Sequence, residues 1–288
     1  MKLKVGLALG SGSARGWAHI GVIRALEEAG ITPDVLCGCS AGAFVGAAYA
    51  DDALDLLENW AVKLTWPDVV GMLDVSLSGG LLKGDKLIGL FERHFVDKDF
   101  AALPLPFACV ATDLASGREI WLREGSVAAA VHASIALPGL LSPVSHDGRL
   151  LVDGGLVNPV PVSLCRALGA DIVIAVDLGS DVVGRSLRQH LPAAARSGAG
   201  WTERMLASLG LKRNHGYPSV ATVISTSINI MQARIARSRL AGDPADALVA
   251  PRLAHLGLMD FHRAAEAIEE GAAAVKRMLP AIEFALNQ

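Results

Sequence analysis

The 288-residue sequence predicts an α/β fold built on a mostly parallel central sheet with crossover helices. Two observations support this prediction. Short apolar runs that end in glycine alternate with helically spaced segments along the first third of the chain, an order typical of parallel strands joined by helices. Hydrophobic residues make up 52% of the sequence, which is enough for a large core. The length suits one large domain, or at most two small ones.

The amino-terminal elements are predicted from apolar spacing and glycine stops. Leu3–Leu9 is a short apolar run ending in glycines, as expected of a buried strand. Gly16–Ala29 carries apolar residues on one helical face and is followed by a glycine stop. Asp34–Gly38 is a second apolar run, and the alanine-rich Ala41–Ala50 is predicted as the next helix. Asp52–Leu64 is predicted as a further helix.

The middle of the chain is predicted to contain a hairpin between helices. Trp66–Leu82 contains Gly, Ser and Asp and is expected to be irregular, whereas Lys83–Phe95 is predicted as a helix. Phe107–Leu114 and Glu119–Leu122 flank a Ser-Gly turn signal, which predicts a β-hairpin. Val127–Ala136 is alanine-rich and is predicted as a helix that a proline ends.

Six further segments complete the predicted fold on the same grounds. They are a strand at Leu150–Val152, a helix at Val162–Leu168, a strand at Asp171–Leu178, a helix at Val220–Leu240, a strand at Ala247–Ala250, and one or two helices at Phe261–Leu286. Ser180–Pro218 is rich in glycine and mildly basic, and we expect a mobile excursion there. We expect a single domain over residues 1–288, with a motif-bearing core at 5–179 and a carboxy-terminal extension at 180–288.

Composition argues against several classes of protein. The net charge of −3 gives no argument for nucleic-acid binding. No run approaches the roughly 18–20 apolar residues of a membrane span, and the first apolar run is too short for a signal peptide. The cysteines Cys37, Cys39, Cys109 and Cys165 lie in or beside apolar runs without a disulfide framework, so we interpret them as reduced core residues of a cytosolic protein. Cys37-x-Cys39 could form half of a metal site, but no second Cys or His pair stands nearby.

Gly38-Cys39-Ser40-Ala41-Gly42 has the Gly-x-Ser-x-Gly pattern of a nucleophilic serine on a sharp turn. The flanking glycines, Gly38 and Gly42, remove Cβ atoms that would clash there. A predicted strand precedes the motif and a predicted helix follows it, and the helix N-terminus favours negative charge beside Ser40. A chance match in a chain with 30 glycines is the alternative.

The loop at residues 10–16, Gly-Ser-Gly-Ser-Ala-Arg-Gly, also lies at a predicted strand-to-helix junction. Such a loop presents backbone N–H groups to an anion. One use is a dinucleotide phosphate cradle, but the Gly-x-Gly-x-x-x-Gly spacing is one residue too long, and Asp34 precedes the second strand rather than ending it. The other use is an oxyanion hole for acyl transfer, which we favour because the adjacent strand delivers Ser40.

A nucleophilic serine needs a base. None of the eight histidines lies in a convincing strand-end loop, and we interpret His19 as a helix-face or packing residue. Asp153 ends a short predicted strand and is followed by Gly154 and Gly155, which allow close backbone approach. A desolvated carboxylate held against the hydroxyl of Ser40 can serve alone, as half of a dyad.

Two alternatives to this base stay open. Asp-Gly-Gly most commonly marks an ordinary turn. Asp113 and Asp177 also end strand-like runs and are further candidates.

Together these motifs resemble the patatin-like phospholipases. The resemblance rests on the glycine-rich loop with Arg-Gly, on Gly-Cys-Ser-Ala-Gly, on Ala133-Ser134-x-x-x-Pro138 with Pro143, and on Asp-Gly-Gly with Asn158-Pro159. More narrowly, the chain is similar to bacterial patatin-like proteins related to the neuropathy target esterase catalytic domain. The specific motifs lie within Val5–Gly179, and a looser similarity extends over nearly the whole chain. The resemblance implies a three-layer, patatin-like sandwich.

The resemblance also implies roles for single residues. Ser40 would be the nucleophile and Asp153 the base of a Ser–Asp dyad, with no metal or cofactor. The oxyanion hole would lie in the loop that contains Gly12, Ser13, Ala14, Arg15 and Gly16. Ser11 and Ser13 stand where the family's loop is commonly glycine. A serine still offers its backbone N–H, but Ser13 disfavours a positive φ.

The predicted activity is hydrolysis of an ester-linked fatty acyl chain from a phospholipid, a lysophospholipid or a simple ester. A regulatory or scaffolding protein of the same fold and a nucleotide-binding protein are the alternatives. The expected partners are a lipid or ester substrate and, peripherally, the inner face of a membrane, with no nucleic acid and with the oligomeric state open. We expect a cytoplasmic protein.

The excursion at 180–218 carries a separate hypothesis. Trp201, Met205, Leu206 and Leu209 form an apolar helical stripe with basic neighbours. Such a segment could rest on an anionic membrane surface or cover the active site. A solvated surface helix packed on the core is the alternative.

Overall fold

The computed structural model describes residues 3–72, 84–181 and 220–287. Within these ranges, eight strands form one mixed sheet. In chain order they are β1 (Val5–Leu9), β2 (Val35–Cys39), β3 (Phe107–Asp113), β4 (Glu119–Leu122), β5 (Val144–His146), β6 (Arg149–Asp153), β7 (Ile172–Val176) and β8 (Ala247–Val249). Successive strands in the series β5-β6-β3-β2-β1-β7-β8 are paired, β2 and β6 pair with one edge of β3, and β4 pairs with the other edge. The pairs β3–β2, β2–β1, β1–β7 and β7–β8 are parallel, whereas the pairs β3–β4, β3–β6 and β5–β6 are antiparallel.

Helices cover both faces of the sheet. The α-helices of the described ranges are α1 (Ala18–Glu28), α2 (Ala41–Ala50), α3 (Leu54–Ala61), α4 (Trp66–Gly71), α5 (Asp85–His94), α6 (Val127–Ile135), α7 (Val162–Ala167), α8 (Val220–Gly242) and α9 (Ala264–Leu286). Along β1, Leu7 and Leu9 join the larger core with α1, α2, α6 and α9, whereas Ala8 joins the smaller core with α7 and α8. This alternation is what a strand buried on both faces requires. The predicted α/β fold with a mostly parallel central sheet is confirmed.

Most predicted elements are present with boundaries shifted by a few residues. The predicted hairpin is confirmed as the antiparallel pair β3–β4. The predicted first helix divides into a 3₁₀ turn at Ser13–Trp17 and then α1. The four cysteines are free and buried, as expected. Beyond Asp181, the predicted excursion and its apolar stripe lie outside the described residues.

Two elements differ from the sequence expectation. The start of the stretch expected to be irregular is the short helix α4, which begins with a capping box formed by Thr65 and Asp68 and has a proline in its first turn. Residues 73–83 lie outside the described ranges. The strand β5 was not predicted. It pairs with β6 through a turn in which Asp147 and Gly148 have positive φ of 47° and 73°.

The sheet order brings three loops to one place. β1 and β2 are adjacent and parallel, so the loops that follow them lie at the same edge of the sheet. β2 is parallel to β3, with Cys39 opposite Val110, and β6 runs antiparallel along the same edge of β3, with Asp153 opposite Ala111, while β4 pairs with the other edge. Because Val110 and Ala111 are consecutive, the end of β2 and the end of β6 lie at the same level of the sheet. No α-helix in the described ranges is both long and apolar enough to cross a bilayer.

Candidate active site

Ser40 occupies a strained turn between β2 and α2. Its φ and ψ are 54° and −119°, values that a non-glycine residue adopts only when its surroundings hold it there. A Cβ atom on Gly38 would lie 2.5 Å from the Cα of Ala43, and one on Gly42 would lie 2.1 Å from the carbonyl oxygen of Leu9. Both predicted flanking glycines therefore stand where backbone passes too closely for any side chain.

Ser134 holds the backbone of this turn from α6. The amide of Ser40 donates to the Ser134 hydroxyl at 2.9 Å, and that hydroxyl donates to the carbonyl oxygen of Val110 at 2.7 Å. Ser134 is fully buried, so both hydrogen bonds lie away from solvent. The sequence motif contained Ser134, but nothing local indicated which amide it would bind.

Asp153 lies directly against Ser40, 113 positions away in the sequence. The Ser40 hydroxyl donates to Asp153 Oδ2 at 2.6 Å, and the Gly155 amide donates to Asp153 Oδ1 at 2.7 Å. The Asp153 backbone is also fixed, because its amide donates to Ala136 and its carbonyl accepts from Thr112. The carboxylate is thus held in one orientation at the serine.

Burial dominates the electrostatics of Asp153. The residue is 1% exposed, and this burial raises its pKa from 3.8 to about 6, against the opposing effect of the two hydrogen bonds it accepts. Gly154 follows where a Cβ atom would lie 2.2 Å from the Val110 carbonyl oxygen. The Asp153 carboxyl group is ionised at neutral pH, with a proton affinity higher than that of an exposed aspartate.

The two other carboxylates considered from the sequence have different partners. Asp113 is the partly exposed last residue of β3, and the amides of Ala115 and Ser116 donate to its carboxylate and lower its pKa. Asp177 is buried, and it accepts a hydrogen bond from the Gly179 amide. Across the described ranges, Asp153 is the carboxylate hydrogen-bonded to the serine hydroxyl.

The loop after β1 leaves two amides free near this pair. The Ala14 amide donates to Leu258 and the Arg15 amide donates to Gly12, at 3.2 Å each. The amides of Gly12 and Ser13 have no acceptor among the described residues. Ser13 does adopt a positive φ, of 52°, and its hydroxyl holds that conformation by donating to the Leu258 carbonyl at 2.6 Å.

Buried polar side chains brace the same loop. Arg15 is 2% exposed; its Nε donates to the carbonyl of Gly12 and its Nη2 donates to Asn229 Oδ1 at 2.8 Å. Burial lowers the pKa of Arg15 to about 10, so the guanidinium stays charged at neutral pH. His19 Nε2 lies 2.7 Å from the Gly10 carbonyl oxygen, to which it must donate, and burial lowers the pKa of His19 to about 4. The packing role expected for His19 is therefore joined by a hydrogen bond to the loop.

An apolar cavity of about 130 Å³ opens onto Ser40 and Asp153. The ring of Trp17 meets those of Phe44, Trp60 and Phe261 edge to face, with centroids about 6 Å apart, and all four rings line the cavity. Edge-to-face contacts of this kind hold aromatic walls in place. The cavity has the character of a site for a hydrocarbon chain, with its polar groups at the serine end.

Helix α8 supplies side chains that the sequence analysis did not include in the site. Asn229 accepts the hydrogen bond from Arg15, and Gln232 Oε1 accepts one from the Ser11 hydroxyl at 3.2 Å. Ile228 and Gln232 both line the cavity. No local motif marks these residues, because a helical position shows its partner only once the helix has packed. Within the described residues, no cluster of three or more His, Cys, Asp or Glu side chains could hold a metal ion.

The fold is that of a mixed α/β protein in which a mostly parallel sheet presents a buried serine and a buried aspartate at one edge. The family model described as patatin-like phospholipase matches residues 7–166, more than half of the chain. The chain belongs to this family.

Relatives at full length and in part support this assignment. An uncharacterized NTE family protein of Mycobacterium tuberculosis is 34% identical over an alignment of 334 positions, gaps included, which covers 98% of this chain and 92% of the mycobacterial protein. Lysophospholipase nte1 of Aspergillus fumigatus is 37% identical over 191 residues, covering 61% of this chain but 12% of the fungal protein. Mouse patatin-like phospholipase domain-containing protein 6 is 38% identical over 184 residues, covering 61% of this chain and 14% of the mouse protein. Among solved structures, VipD from Legionella pneumophila aligns over 98% of this chain and 67% of its own, with a TM-score of 0.48 and 13% identity.

Proposed function

We propose that this protein is a serine acyl hydrolase that cleaves fatty acyl esters of lipids, with Ser40 as nucleophile and Asp153 as base. The observation that supports this most strongly is the 2.6 Å hydrogen bond from the Ser40 hydroxyl to a buried carboxylate. Family membership supports lipid hydrolysis, and so do the relatives named as lysophospholipases. A phospholipase or lysophospholipase activity is the finer form of the proposal.

Acylation begins with transfer of the Ser40 proton to Asp153. The serine oxygen attacks the ester carbonyl, and the carbonyl oxygen gains the negative charge of a tetrahedral intermediate. The amides of Gly12 and Ser13 are the proposed donors to that oxygen, together with the Ala41 amide that follows the nucleophile at the start of α2. Collapse of the intermediate breaks the ester bond, and protonated Asp153 returns its proton to the departing alcohol oxygen.

Deacylation runs the same steps with water. Asp153 takes a proton from water, the resulting hydroxide equivalent attacks the acyl-serine carbonyl, and the Ser40 oxygen leaves with the proton. A base whose pKa is about 6 suits both directions, because it is ionised at neutral pH yet accepts a proton more readily than an exposed aspartate.

The cavity favours an acyl chain as the group that enters the site. Its walls are aromatic and aliphatic, and its polar groups lie beside Ser40. The alcohol part of the ester would then face the cavity mouth, where a lipid head group can remain hydrated. We propose that the chain forms one domain, because β8 extends the sheet and α9 packs on α1.

We also propose that the protein is cytoplasmic and contacts the inner face of a membrane peripherally.

The test combines a fluorophosphonate probe with a short-chain nitrophenyl ester. We expect the parent chain to react with both, Ser40→Ala with neither, and Asp153→Asn to lose at least a thousandfold in turnover. Asp113→Asn is the matched control, since Asp113 also ends a strand but is partly exposed and accepts hydrogen bonds from the turn that follows it. Wild-type turnover in both Ser40→Ala and Asp153→Asn would refute the dyad. A folded parent that neither labels nor hydrolyses would favour the regulatory alternative.

A further inference from the structure

Helix α8 lies outside the stretch that the family model matches, yet it reaches the catalytic groups. The match ends at residue 166, whereas α8 begins at Val220. From one face, this helix sends Ile228 into the cavity, Asn229 to Arg15, and Gln232 to Ser11. Because α8 contacts both the cavity and the loop after β1, its side chains are placed to influence the proposed reaction.

Gln232 lies where the loop after β1 meets the turn that carries Asp153. Its Oε1 accepts from the Ser11 hydroxyl at 3.2 Å. Its Nε2 lies over Gly155, since a Cβ atom on that glycine would be 2.4 Å from Nε2, 2.9 Å from Asp153 Oδ1 and 3.0 Å from Ser11 Oγ. Three polar groups from three parts of the chain therefore converge over the Cα of Gly155.

Packing and polar contacts hold helix α8 against the sheet, which fixes the position of Gln232. Ala233 and Ala236 are buried and allow α8 to approach the sheet. One turn further on, Arg239 forms an ion pair with Glu119, and Glu119 accepts from buried Asn158 at 2.8 Å. The backbone amide of Asn158 in turn donates to the carbonyl of Gly154, so α8 is connected to the turn after Asp153 at a second point.

We propose that Gln232 is a positioning residue. It fixes the loop at residues 10–16 relative to the turn that carries Asp153, because it binds Ser11 and packs on Gly155. This inference rests on the proposed function. Ser11 is also held by its own amide, which donates to the Pro159 carbonyl at 2.8 Å, so the side chain of Gln232 fixes the other side of that residue. The amides of Gly12 and Ser13 follow directly, and their placement depends on where Ser11 is held.

The first test replaces Gln232 by methionine, which fills similar space without either polar atom. We expect kcat for a short-chain nitrophenyl ester, and the rate of fluorophosphonate labelling, to fall about tenfold, the order expected when one positioning hydrogen bond is lost. Arg234→Ala is the matched control, because Arg234 is exposed on the same helix and should leave both rates unchanged.

The second test is Gln232→Glu, which keeps an acceptor for Ser11 but places a charge beside Asp153. Among the described residues that line the small pocket with Gln232, Arg15 and Asp177 are the charged ones, and Arg15 would help to keep the new carboxylate ionised. Repulsion should move the acid limb of kcat/KM upward by about one pH unit, because the new carboxylate would lie close to Asp153. Above that limb kcat should exceed that of Gln232→Met, because the acceptor for the Ser11 hydroxyl is retained, a rescue that a merely space-filling role would not give.

Two outcomes overturn the inference on an active parent: a Gln232→Met variant within twofold of the parent rates, or a Gln232→Glu acid limb that stays in place. If Gln232→Met does not fold, the pH profile of Gln232→Glu decides alone. A parent that neither labels nor hydrolyses overturns the proposed function and this inference with it, whereas an active parent indifferent to position 232 overturns only the inference.

Discussion

Asp153→Asn should abolish hydrolysis and stabilise the folded chain at the same time. Burial raises the pKa of Asp153 from 3.8 to about 6. At about 1.4 kcal/mol for each pH unit, that difference corresponds to about 3 kcal/mol by which folding at neutral pH is opposed. Asparagine carries no charge, and its amide can still accept from Gly155 and donate to Ser40. We therefore expect a gain of about 2–3 kcal/mol in the free energy of unfolding.

The pH dependence of this gain follows from the direction of the shift. Because the pKa of Asp153 is higher in the folded state, the carboxyl group's contribution to stability is fully present below pH 3.8 and is lost as pH rises through about 6. Asparagine does not titrate. The advantage of Asp153→Asn should therefore be small at pH 4, grow between pH 4 and 6, and be constant above pH 7.

Urea unfolding at pH 4 and pH 8 measures this directly for the parent and the variant. Asp113→Asn is the control, because hydrogen bonds lower the pKa of Asp113 and its replacement should give no gain at pH 8. The reasoning fails if Asp153→Asn is no more stable than the parent at pH 8, or if its gain is the same at both pH values. Enzymes commonly sacrifice stability at buried catalytic groups, and this variant would quantify that cost for the proposed base.

Three other predictions concern activity. The acid limb of kcat/KM on a nitrophenyl ester should fall at about pH 6, with tenfold loss for each pH unit below it, and a limb near pH 4 would show that Asp153 is not the titrating base. Gly16→Ala should reduce esterase activity at least tenfold, because the added Cβ atom would lie 2.3 Å from the Cβ atom of Ala41. Gly242→Ala is the control and should leave activity unchanged, since the space around Gly242 is open. Equal activities of the two variants would contradict the close packing of the loop after β1 on the turn that carries Ser40. Ser134→Ala leaves a buried amide and a buried carbonyl without their partner and should cost about 1–3 kcal/mol in urea unfolding and slow probe labelling; unchanged values for both would argue against its role at the turn.

Much of the fold followed from local signals. Most strands are visible in the sequence as apolar runs, and the turn that carries Ser40 is visible because glycines are needed on both sides of it. Thr65 and Asp68 form a capping signal for α4, but the glycines and serines further along favour an irregular segment, so the sequence does not predict this helix. The strand β5 was missed because three residues carry too little periodicity to predict a strand.

The far side of the site had no such signals. Asn229 and Gln232 lie in a helix whose sequence shows only apolar spacing, and their partners are more than 200 positions away. The sequence also gives no sign that the Ala14 amide donates to the Leu258 carbonyl. That hydrogen bond removes Ala14 from the proposed oxyanion donors and leaves Gly12 and Ser13 within that loop. Long-range pairing of polar groups depends on packing, which a single sequence does not display.

The sequence by itself determined the two turns that present Ser40 and Asp153, because turn chemistry depends on a few adjacent residues and their backbone angles. Only the tertiary structure decided that the turns meet, with 2.6 Å between the Ser40 hydroxyl and Asp153 Oδ2, where β2 and β6 end beside each other along one edge of β3. That meeting depends on strand order, on an antiparallel β6 in a mostly parallel sheet, and on burial deep enough to raise the pKa of the carboxylate. Each of these comes from contacts between segments far apart in the chain, where local propensity has no influence.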